Sequence, residues 1–569
     1  MSIVATPYDT AAVKSGAVKL LPQSATVSAH TEAIVLPGGS VTISEAATNL
    51  FRRIAPRHEI FTRGKAVVSL QRGMTGTLIL EPVRPSGARS LFEGYAQFLA
   101  WRTGKRGESV LKPSTVAEDT ARAFLDCQAA TNILPSIAGL VNCPVVTEAN
   151  GGLKICAKGF SEETGLLVVK GERPADVPLT EAVESLLGLL SEFHFQSEGD
   201  RSRAVASFIT PALRMGNLIR GFVPADVAEA DKSQSGKTYR QKLLAAIYGE
   251  RPALVPLKRN GVGSVDESLF EKLVNGRPFI QFDNYRGALD SPALEAFLTA
   301  EGSFPCRIPG LREIEVDPSR FYILMTSNGV ETTRDMANRS SIIRIFKREG
   351  AAFKDTLGEI QARQPYFLGC VIAVVREWHR QGKPRTSETR HDFRDWCQPL
   401  DWIVQNVFGL APLMDGHLAA QERVSNPVLT FLRRVALEVA KEDLLGVALI
   451  TSRIFELADA AGIEVPGLRS ADAHDGEKAR KVIGTKLAAV FKSSNAVDLD
   501  GFAIERGEES RAREDGNGYK PLKTYTCTRA TTPTTPRGGI GRKNGPVFLN
   551  ALPLGVVGVD GVSGEGAMA

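Results

Sequence analysis

The stretch Ser233–Thr238, with the sequence SQSGKT, decides the fold that we predict for this chain. A run with strand character precedes it, between Phe222 and Ala228, and a helical pattern follows it and stops near Gly249. A strand, a tight loop that ends in Gly-Lys-Thr and a helix form the context of a phosphate-binding loop, because the loop and the helix N-terminus present N–H groups to an anion.

The residue types of this loop suit a nucleoside triphosphate. We expect the Lys237 ammonium to neutralise β- and γ-phosphate oxygens and the Thr238 hydroxyl to bind Mg²⁺. The usual pattern of such loops has glycine where this chain has Asp231, and a bare Gly-Lys-Thr triplet also marks simple helix starts. The residues predicted to bind ATP are Ser233, Gln234, Ser235, Gly236, Lys237, Thr238 and Tyr239.

A second element, GRPFIQFDNYRG at residues 276–287, predicts a buried strand that ends at Asp283. A carboxylate at such a strand end lies beside the phosphate loop and holds Mg²⁺ through water, although Asp-Asn also favours a plain turn. Asn284 occupies the next position, where many ATPases carry a catalytic glutamate, so the general base stays open. Glu267 is a substitute candidate, but Ser264 to Glu267 also fits a capping box that opens a helix.

A third element, FYILMTSNG at residues 321–329, predicts another buried strand with Asn328 just beyond its end. An amide at this position can orient the attacking water beside the γ-phosphate, and a turn-forming Asn-Gly is an alternative that does not exclude this role. Downstream, RDMANRSSIIRI carries Arg339, which we expect to reach the γ-phosphate of a neighbouring subunit. A surface arginine in an ion pair is the competing interpretation of Arg339.

In this order, SQSGKT, FIQFDN, TSNG and DMANRSSIIRI resemble the AAA+ ATPases of phages, plasmids and integrative elements, closest to helicase-like replication proteins near superfamily 3. The segment LVNCPVVTEANGGLKICAKGFSEETGL is also similar to that group. The resemblance covers residues 90–530 and is strongest over 222–348. It implies an oligomeric, often hexameric, motor that uses ATP and Mg²⁺ on DNA, which composition and spacing alone do not show. Asp231 and Asn284 depart from the family pattern.

The fold class that we predict is α/β, with an AAA+ P-loop ATPase core, an N-terminal α+β region, a helical segment and a C-terminal winged-helix-like module. Residues 89–140 are predicted to be helical, and the turn Asn150-Gly151-Gly152 is predicted to join two strands. The predicted divisions are a flexible lead-in at 1–45, the N-terminal domain at 46–195, the ATPase core at 196–350, a helical domain at 351–440, the winged-helix-like domain at 441–528 and a disordered tail at 529–569.

Two regions are candidates for contact with DNA. The segment SFPCRIPGLREIEVDP predicts a hairpin, and the resemblance implies that it points into a ring pore, where Arg307 and Arg312 contact phosphates. The unit at 441–528 has predicted helices at 447–461 and 477–492 followed by two wing strands, and Lys481 on the second helix is a candidate contact. A hairpin in solvent and an ordinary solvated helix face are the alternatives.

Composition sets the outer limits of function. The 569 residues suit roughly two to four domains, and a formal net charge of +5 is too small to argue DNA binding by itself. The seven cysteines show no metal-ligand spacing, and no signal-peptide pattern or long apolar run occurs, so we expect a cytoplasmic protein without zinc or a membrane segment. That it is a homo-oligomer is implied by the resemblance alone. The alternatives to a DNA motor are a nucleotide-gated nucleic-acid-binding switch with little or no hydrolysis and a small-molecule P-loop kinase.

Overall fold

The computed structural model of this chain is a mixed α/β structure. The residues that it describes are 33–73, 76–103, 108–230, 235–256, 264–285, 288–289, 291–308, 313–327, 331–347, 355–463, 465–466, 468, 475–492, 494–499, 501–512 and 519–529. Most of the predicted lead-in and nearly all of the predicted tail lie outside these ranges. None of the helices in the described part is both long enough and apolar enough to cross a bilayer.

The N-terminal part of the chain, up to residue 195, consists of small sheets and short helices. Its strands are β1 (Ile34–Val35), β2 (Ile60–Arg63), β3 (Ala66–Arg72), β4 (Leu78–Pro82), β5 (Phe98–Thr103), β6 (Ser109–Pro113), β7 (Gly139–Val141), β8 (Val145–Ala149), β9 (Gly152–Cys156), β10 (Gly159–Ser161), β11 (Leu166–Val168) and β12 (His194–Phe195). Its helices are α1 (Ile43–Ile54), α2 (Pro85–Glu93), α3 (Glu118–Asp126), α4 (Gln128–Ile133) and α5 (Leu179–Gly188). The strands pair in the orders β1-β5-β6, β2-β3-β4, β10-β11-β7 and β8-β9.

Two local predictions for this part have opposite outcomes. The hairpin around Asn150 is confirmed, since β8 and β9 pair as predicted and Asn150 and Gly151 take φ angles of 53° and 76°, as a two-residue hairpin turn requires. The helical prediction for 89–140 is wrong over Phe98–Thr103 and Ser109–Pro113, which form the paired strands β5 and β6. The physical reason is tertiary: Phe98 is buried and β5 pairs in parallel with β1, a contact that local periodicity does not reveal.

The central part contains one six-stranded sheet. Its strands and those beside it are β13 (Ala225–Glu229), β14 (Ala253–Leu254), β15 (Phe279–Tyr285), β16 (Ala288–Leu289), β17 (Phe304–Cys306), β18 (Ile314–Val316), β19 (Tyr322–Ser327), β20 (Glu331–Thr332) and β21 (Ser340–Phe346). Its helices are α6 (Glu198–Met215), α7 (Lys237–Ile247), α8 (Val265–Val274), α9 (Pro292–Leu298) and α10 (Arg334–Asn338). The strand order is β12-β21-β13-β19-β15-β14, parallel except where β12 meets β21.

Apolar side chains cover both faces of this sheet. On one face Phe279, Tyr322 and Leu324 share a core with Leu243 and Leu244 of α7. On the other face, alternate strand residues share a second core with α8, α9 and the hairpin of β17 and β18, among them Ile280, Phe282, Ile323, Met325 and Ile342. Parallel strands buried on both faces place all their carboxyl ends on one edge, and ligands of such sheets bind at that edge.

The C-terminal part is helical up to residue 441 and then forms an α+β unit. Its elements are α11 (Thr356–Ala362), α12 (Gln364–Arg380), α13 (Arg394–Asn406), α14 (His417–Ser425), α15 (Pro427–Lys441), β22 (Ala448–Ile450), α16 (Thr451–Ala460), α17 (Gly476–Val490), β23 (Ala496–Leu499), β24 (Phe502–Ala512) and β25 (Tyr519–Arg529). The last four strands form an antiparallel sheet in the order β22-β25-β24-β23. The structure therefore has two helices followed by long strands in this region, in the predicted order.

Arg63, at the end of β2, ties the N-terminal part to the central part. Its buried Nη1 donates to the carbonyls of Leu273 and Val274 at 2.9 and 2.7 Å, and its Nη2 donates to the carbonyl of Ala138 at 2.9 Å. Leu273 and Val274 end α8, so the guanidinium satisfies carbonyls that lack partners within the helix. Burial lowers the pKa of Arg63 to about 10, which leaves it charged at neutral pH.

We predict that Arg63→Met lowers the free energy of unfolding by about 3 kcal/mol, because two buried carbonyls and one partly buried carbonyl lose a charged donor. The measurement is urea unfolding followed by far-ultraviolet circular dichroism. Arg72→Met is the matched control. Arg72 in the neighbouring strand is exposed, and within the described part of the chain its guanidinium donates only to the carbonyl of Gly76, at 3.4 Å. Equal unfolding midpoints for the two variants would contradict this role of Arg63.

Candidate functional site

The start of α7 carries the residues that the sequence singles out for phosphate binding. Gly236 precedes the helix with a φ of 92°, a left-handed conformation that favours glycine, and Lys237 is the first helical residue. The Lys237 side chain is buried, and its Nζ lies 3.4 Å from the Ser235 hydroxyl. The helix therefore begins with N–H groups that lack intrahelical acceptors, beside an ammonium group. The predicted residues Ser233 and Gln234 lie outside the described part of the chain.

Thr238 and Asp283 meet at the carboxyl edge of the sheet. The Thr238 hydroxyl donates to Oδ1 of Asp283 at 2.8 Å, although 45 positions separate the two residues in the chain. The Thr326 hydroxyl donates to the same oxygen at 2.7 Å and accepts the backbone N–H of Asn284, also at 2.7 Å. The structure thus brings together two residues predicted to hold Mg²⁺ and adds Thr326, which the sequence analysis missed.

Thr326 could have been found from strand alternation. It lies two residues beyond Leu324, whose side chain faces α7, and the period of two places the Thr326 hydroxyl on that same face. What the sequence did not supply was the pairing of β19 with β15, which sets Thr326 beside Asp283.

Asn284 departs from regular strand geometry. Its φ is 53°, and the pairing of β15 with β19 is irregular between Phe282 and Tyr285. Asparagine tolerates this left-handed conformation better than most residues, so its presence here has a backbone reason. Its side chain is exposed, and β15 ends one residue later at Tyr285, which pairs with Ser327, so the strand runs two residues beyond the predicted end at Asp283.

A buried polar network fixes α7 against the sheet below the loop. Arg240 forms a buried ion pair with Asp226 of β13. Gln241 Nε2 lies 2.8 Å from Oδ1 of Asp226 and 2.9 Å from the carbonyl oxygen of Met325, and its Oε1 accepts from Gln281 Nε2 at 2.9 Å. One turn of α7 is therefore bonded to β13, β19 and β15, and this fixes where the helix begins.

A second charged contact lies at the carboxyl end of β13. Glu229, the last residue of this strand, is buried, and its Oε1 lies 4.0 Å from Nη1 of the buried Arg433 in α15. α15 also contributes Phe431 and Leu432 to the core of the C-terminal sheet. The strand that enters the predicted phosphate loop is thus in contact with the helix that supports the C-terminal unit.

Arg339 does not join this site within its own chain. The register pairs Ala225 with Ser340 at one end of β13 and Glu229 lies at the other end, so Arg339 is at the amino edge of the sheet. The two edges are roughly 13 Å apart for a five-residue strand. The Arg339 guanidinium donates to the carbonyl of Glu295 in α9 at 3.0 Å. A contribution to a neighbouring subunit stays a prediction.

The remaining catalytic candidates have different placements. The Ser264 hydroxyl accepts the backbone N–H of Glu267 at 3.3 Å, which is the capping arrangement that competes with a role as general base. Asn328 follows Ser327, the last residue of β19, but lies outside the described residues. Tyr239 accepts the backbone N–H of Leu357 at 3.1 Å, so it links α7 to α11.

The candidate DNA contacts belong to other elements of the structure. The predicted hairpin is confirmed, since β17 pairs with β18 from Phe304 opposite Val316 to Cys306 opposite Ile314. Arg307 is exposed directly after β17, whereas Arg312 lies outside the described residues. Lys481 is exposed on α17.

The residues at the carboxyl edge fit a magnesium ion held together with a nucleotide. Among the described residues no group of three or more histidine, cysteine, aspartate or glutamate side chains is arranged to hold a metal. Mg²⁺ needs fewer protein ligands, because it keeps several waters and is bound by one or two protein oxygens together with substrate phosphates. The hydroxyl of Thr238 and the carboxylate of Asp283 are such oxygens, next to a helix N-terminus that favours an anion.

No protein-family model matches this sequence. No curated protein sequence matches it either. Among solved structures, the chain is similar to one described as "SCCmec type IV Cch - active helicase", with a TM-score of 0.28 and 11% sequence identity over 80% of this chain and 92% of the other. A TM-score of 0.28 does not establish a shared fold, so function is inferred from the residues of the site.

We predict that Thr326→Val weakens binding of MgATP about tenfold, because valine keeps the shape but frees the Asp283 carboxylate and removes the acceptor for the Asn284 N–H. A net loss of about 1–2 kcal/mol for these two hydrogen bonds corresponds to this change. The measurement is titration with a fluorescent ATP analogue and Mg²⁺.

Thr299→Val is the control for Thr326→Val. Thr299 lies just after α9, and among the described residues its hydroxyl donates only to the carbonyls of Glu295 and Ala296 in that helix. Affinity at the unmodified level in Thr326→Val would show that Asp283 needs no support from β19.

Proposed function

We propose that this chain binds MgATP at the start of α7 and hydrolyses it to drive a helicase-like motor on DNA. The observation that carries the proposal is the hydrogen bond from Thr238 to Asp283 beside the buried Lys237, at a helix N-terminus on the carboxyl edge of a parallel sheet. A hydroxyl, a carboxylate and an ammonium in this arrangement suit a triphosphate with its magnesium ion.

Each residue has a defined part in the proposed reaction. Lys237 neutralises the β- and γ-phosphate oxygens, and the N–H groups at the start of α7 orient the chain of phosphates. Thr238 and Asp283 would hold Mg²⁺, which supplies neutralisation of the charge that develops on the transferred phosphoryl group. Thr326 holds the Asp283 carboxylate in place, and Asn328 orients the attacking water.

The outer parts of the chain support DNA as the partner. In the C-terminal unit, α16 and α17 are followed by long antiparallel strands, which favours the winged-helix-like interpretation with Lys481 on the helix that faces DNA. Arg307 beside the hairpin of β17 and β18 adds a second exposed cation. The amino-edge position of Arg339 suits a ring, because only a neighbouring subunit's nucleotide is available to it there.

We predict that Lys237→Ala lowers steady-state ATP hydrolysis at least about 100-fold, because the phosphate oxygens lose their fixed positive charge. Lys242→Ala is the matched control, since Lys242 is exposed on the same helix. Phosphate release measures hydrolysis, and circular dichroism checks that both variants fold. Hydrolysis by Lys237→Ala at the wild-type rate would refute the assignment of the site.

A second candidate function is a nucleotide-gated switch that binds nucleic acid and hydrolyses little ATP. The observation that favours it is the residue after Asp283, which is the neutral Asn284 in a left-handed conformation instead of a carboxylate. Without a base at this position, ATP is bound tightly but the attacking water keeps its proton. Binding of nucleotide would then change the affinity for nucleic acid without turnover.

Asn284→Glu distinguishes the motor from the switch, with Asn284→Gln as a control that carries the same backbone strain without the charge. For the motor, we expect single-stranded DNA to stimulate wild-type turnover and Asn284→Glu to add little. For the switch, wild-type turnover is negligible and Asn284→Glu raises it about 100-fold, which is the usual contribution of a positioned base. Stimulation of the wild type by DNA excludes the switch.

A further inference from the structure

The hairpin of β5 and β6 extends beyond the sheet that anchors it. β1 pairs only with the first two residues of β5, and Phe98 is buried in the N-terminal core. Beyond these residues β5 pairs with β6 alone, so within the described part of the chain both edges of the outer hairpin are free. This outer part offers two exposed faces to a partner.

One face of the outer part of this hairpin carries an exposed aromatic ring. Trp101 is 41% exposed and lies directly opposite Leu111, which is 39% exposed. Gly39, with a φ of 62°, lies against the indole, and a Cβ atom at this glycine would be 3.4 Å from Cδ1 of Trp101. The backbone of the Gly39 turn thus supports the ring. Among the described residues the indole has no aromatic neighbour and its Nε1 donates no hydrogen bond, so it is available to a ligand.

Two basic residues are next to Trp101 and Leu111 in the strands of this hairpin. Arg102 and Lys112 are exposed, and neither has an ion-pair or hydrogen-bond partner in the part of the chain that the structure describes. In sequence, Phe98–Pro113 carries four basic residues and one acidic residue, Glu108. Arg102 and Lys112 leave the hairpin on the face opposite the indole, but adjacent strands are only about 5 Å apart, so long side chains reach round the free edge.

We infer that this hairpin binds single-stranded DNA, with a base stacked on Trp101 and phosphates held by Arg102 and Lys112. Every base has a π face, and exposed aromatic rings beside cations bind single strands without reading their sequence. A duplex offers no free base face to Trp101, so single strands are preferred. The inference deepens the proposed function and rests on it only for DNA as the partner. The contact that it names lies far in sequence from Arg307 and Lys481.

The test measures binding of a fluorescein-labelled oligothymidylate to the full-length protein by fluorescence anisotropy, without nucleotide. We expect Trp101→Ala to weaken binding by roughly 5- to 150-fold, as loss of one stacked base does, and Trp101→Phe to retain most of the affinity. Leu418→Ala is the matched control, because Leu418 is another exposed apolar side chain, at 47%, away from the hairpin.

Arg102→Ala and Lys112→Ala test the ionic part of the inference. Each should lower the salt dependence of binding, with the slope of log K against log salt falling in magnitude by roughly 0.7 for each phosphate that the variant no longer neutralises. Circular dichroism and the retained affinity of Trp101→Phe separate a missing side-chain interaction from a failure to fold.

Wild-type affinity in Trp101→Ala overturns the inference, and so does a change of oligomeric state in this variant with unchanged DNA affinity, because the face then joins two copies of the chain. Binding that depends on Trp101 in a protein that hydrolyses no ATP refutes the proposed motor and leaves the hairpin inference standing. If hydrolysis requires Lys237 but DNA binding does not depend on Trp101, the proposed ATPase site stands and the hairpin inference is refuted.

Discussion

The attachment of α7 to three strands is the constraint on which the rest of the site depends. Arg240 and Asp226 are fully buried, and a buried ion pair contributes little stability once the cost of desolvating both charges is counted. Their effect is on position, because with Gln241 they allow α7 a single place above β13, β15 and β19. Thr238 lies within one helical turn of Arg240 and Gln241, so the same bonds set its position and bring its hydroxyl to Asp283.

Local patterns predicted the parts of the site that are local in the chain. The strand, glycine loop and helix around Lys237 are contiguous, and the buried run of β15 that ends just before Asp283 is readable from its apolar residues. We expected a carboxylate at this strand position to lie beside the phosphate loop, and the bond between Thr238 and Asp283 agrees with this. The same reasoning predicted the hairpin of β17 and β18 and the helices of the C-terminal unit.

Features that depend on pairing between distant strands could not be predicted from the sequence. Thr326 supports Asp283 because β19 lies next to β15, and the amino-edge position of Arg339 follows from the parallel pairing of β21 with β13. The wrong helix prediction over β5 and β6 has the same origin, since a distant upstream strand, β1, helps to define β5. A propensity or a periodicity carries no information about which strand will lie alongside.

The contact between Glu229 and Arg433 has a mechanical consequence. Glu229 ends the strand that enters the loop, and Arg433 belongs to a helix that forms part of the C-terminal core. Moving the two residues apart would weaken the attraction between a buried carboxylate and a buried guanidinium, which is stronger in a protein interior than in water. We therefore expect a displacement of the C-terminal unit to be transmitted through this contact to the strand that enters the loop, and the reverse.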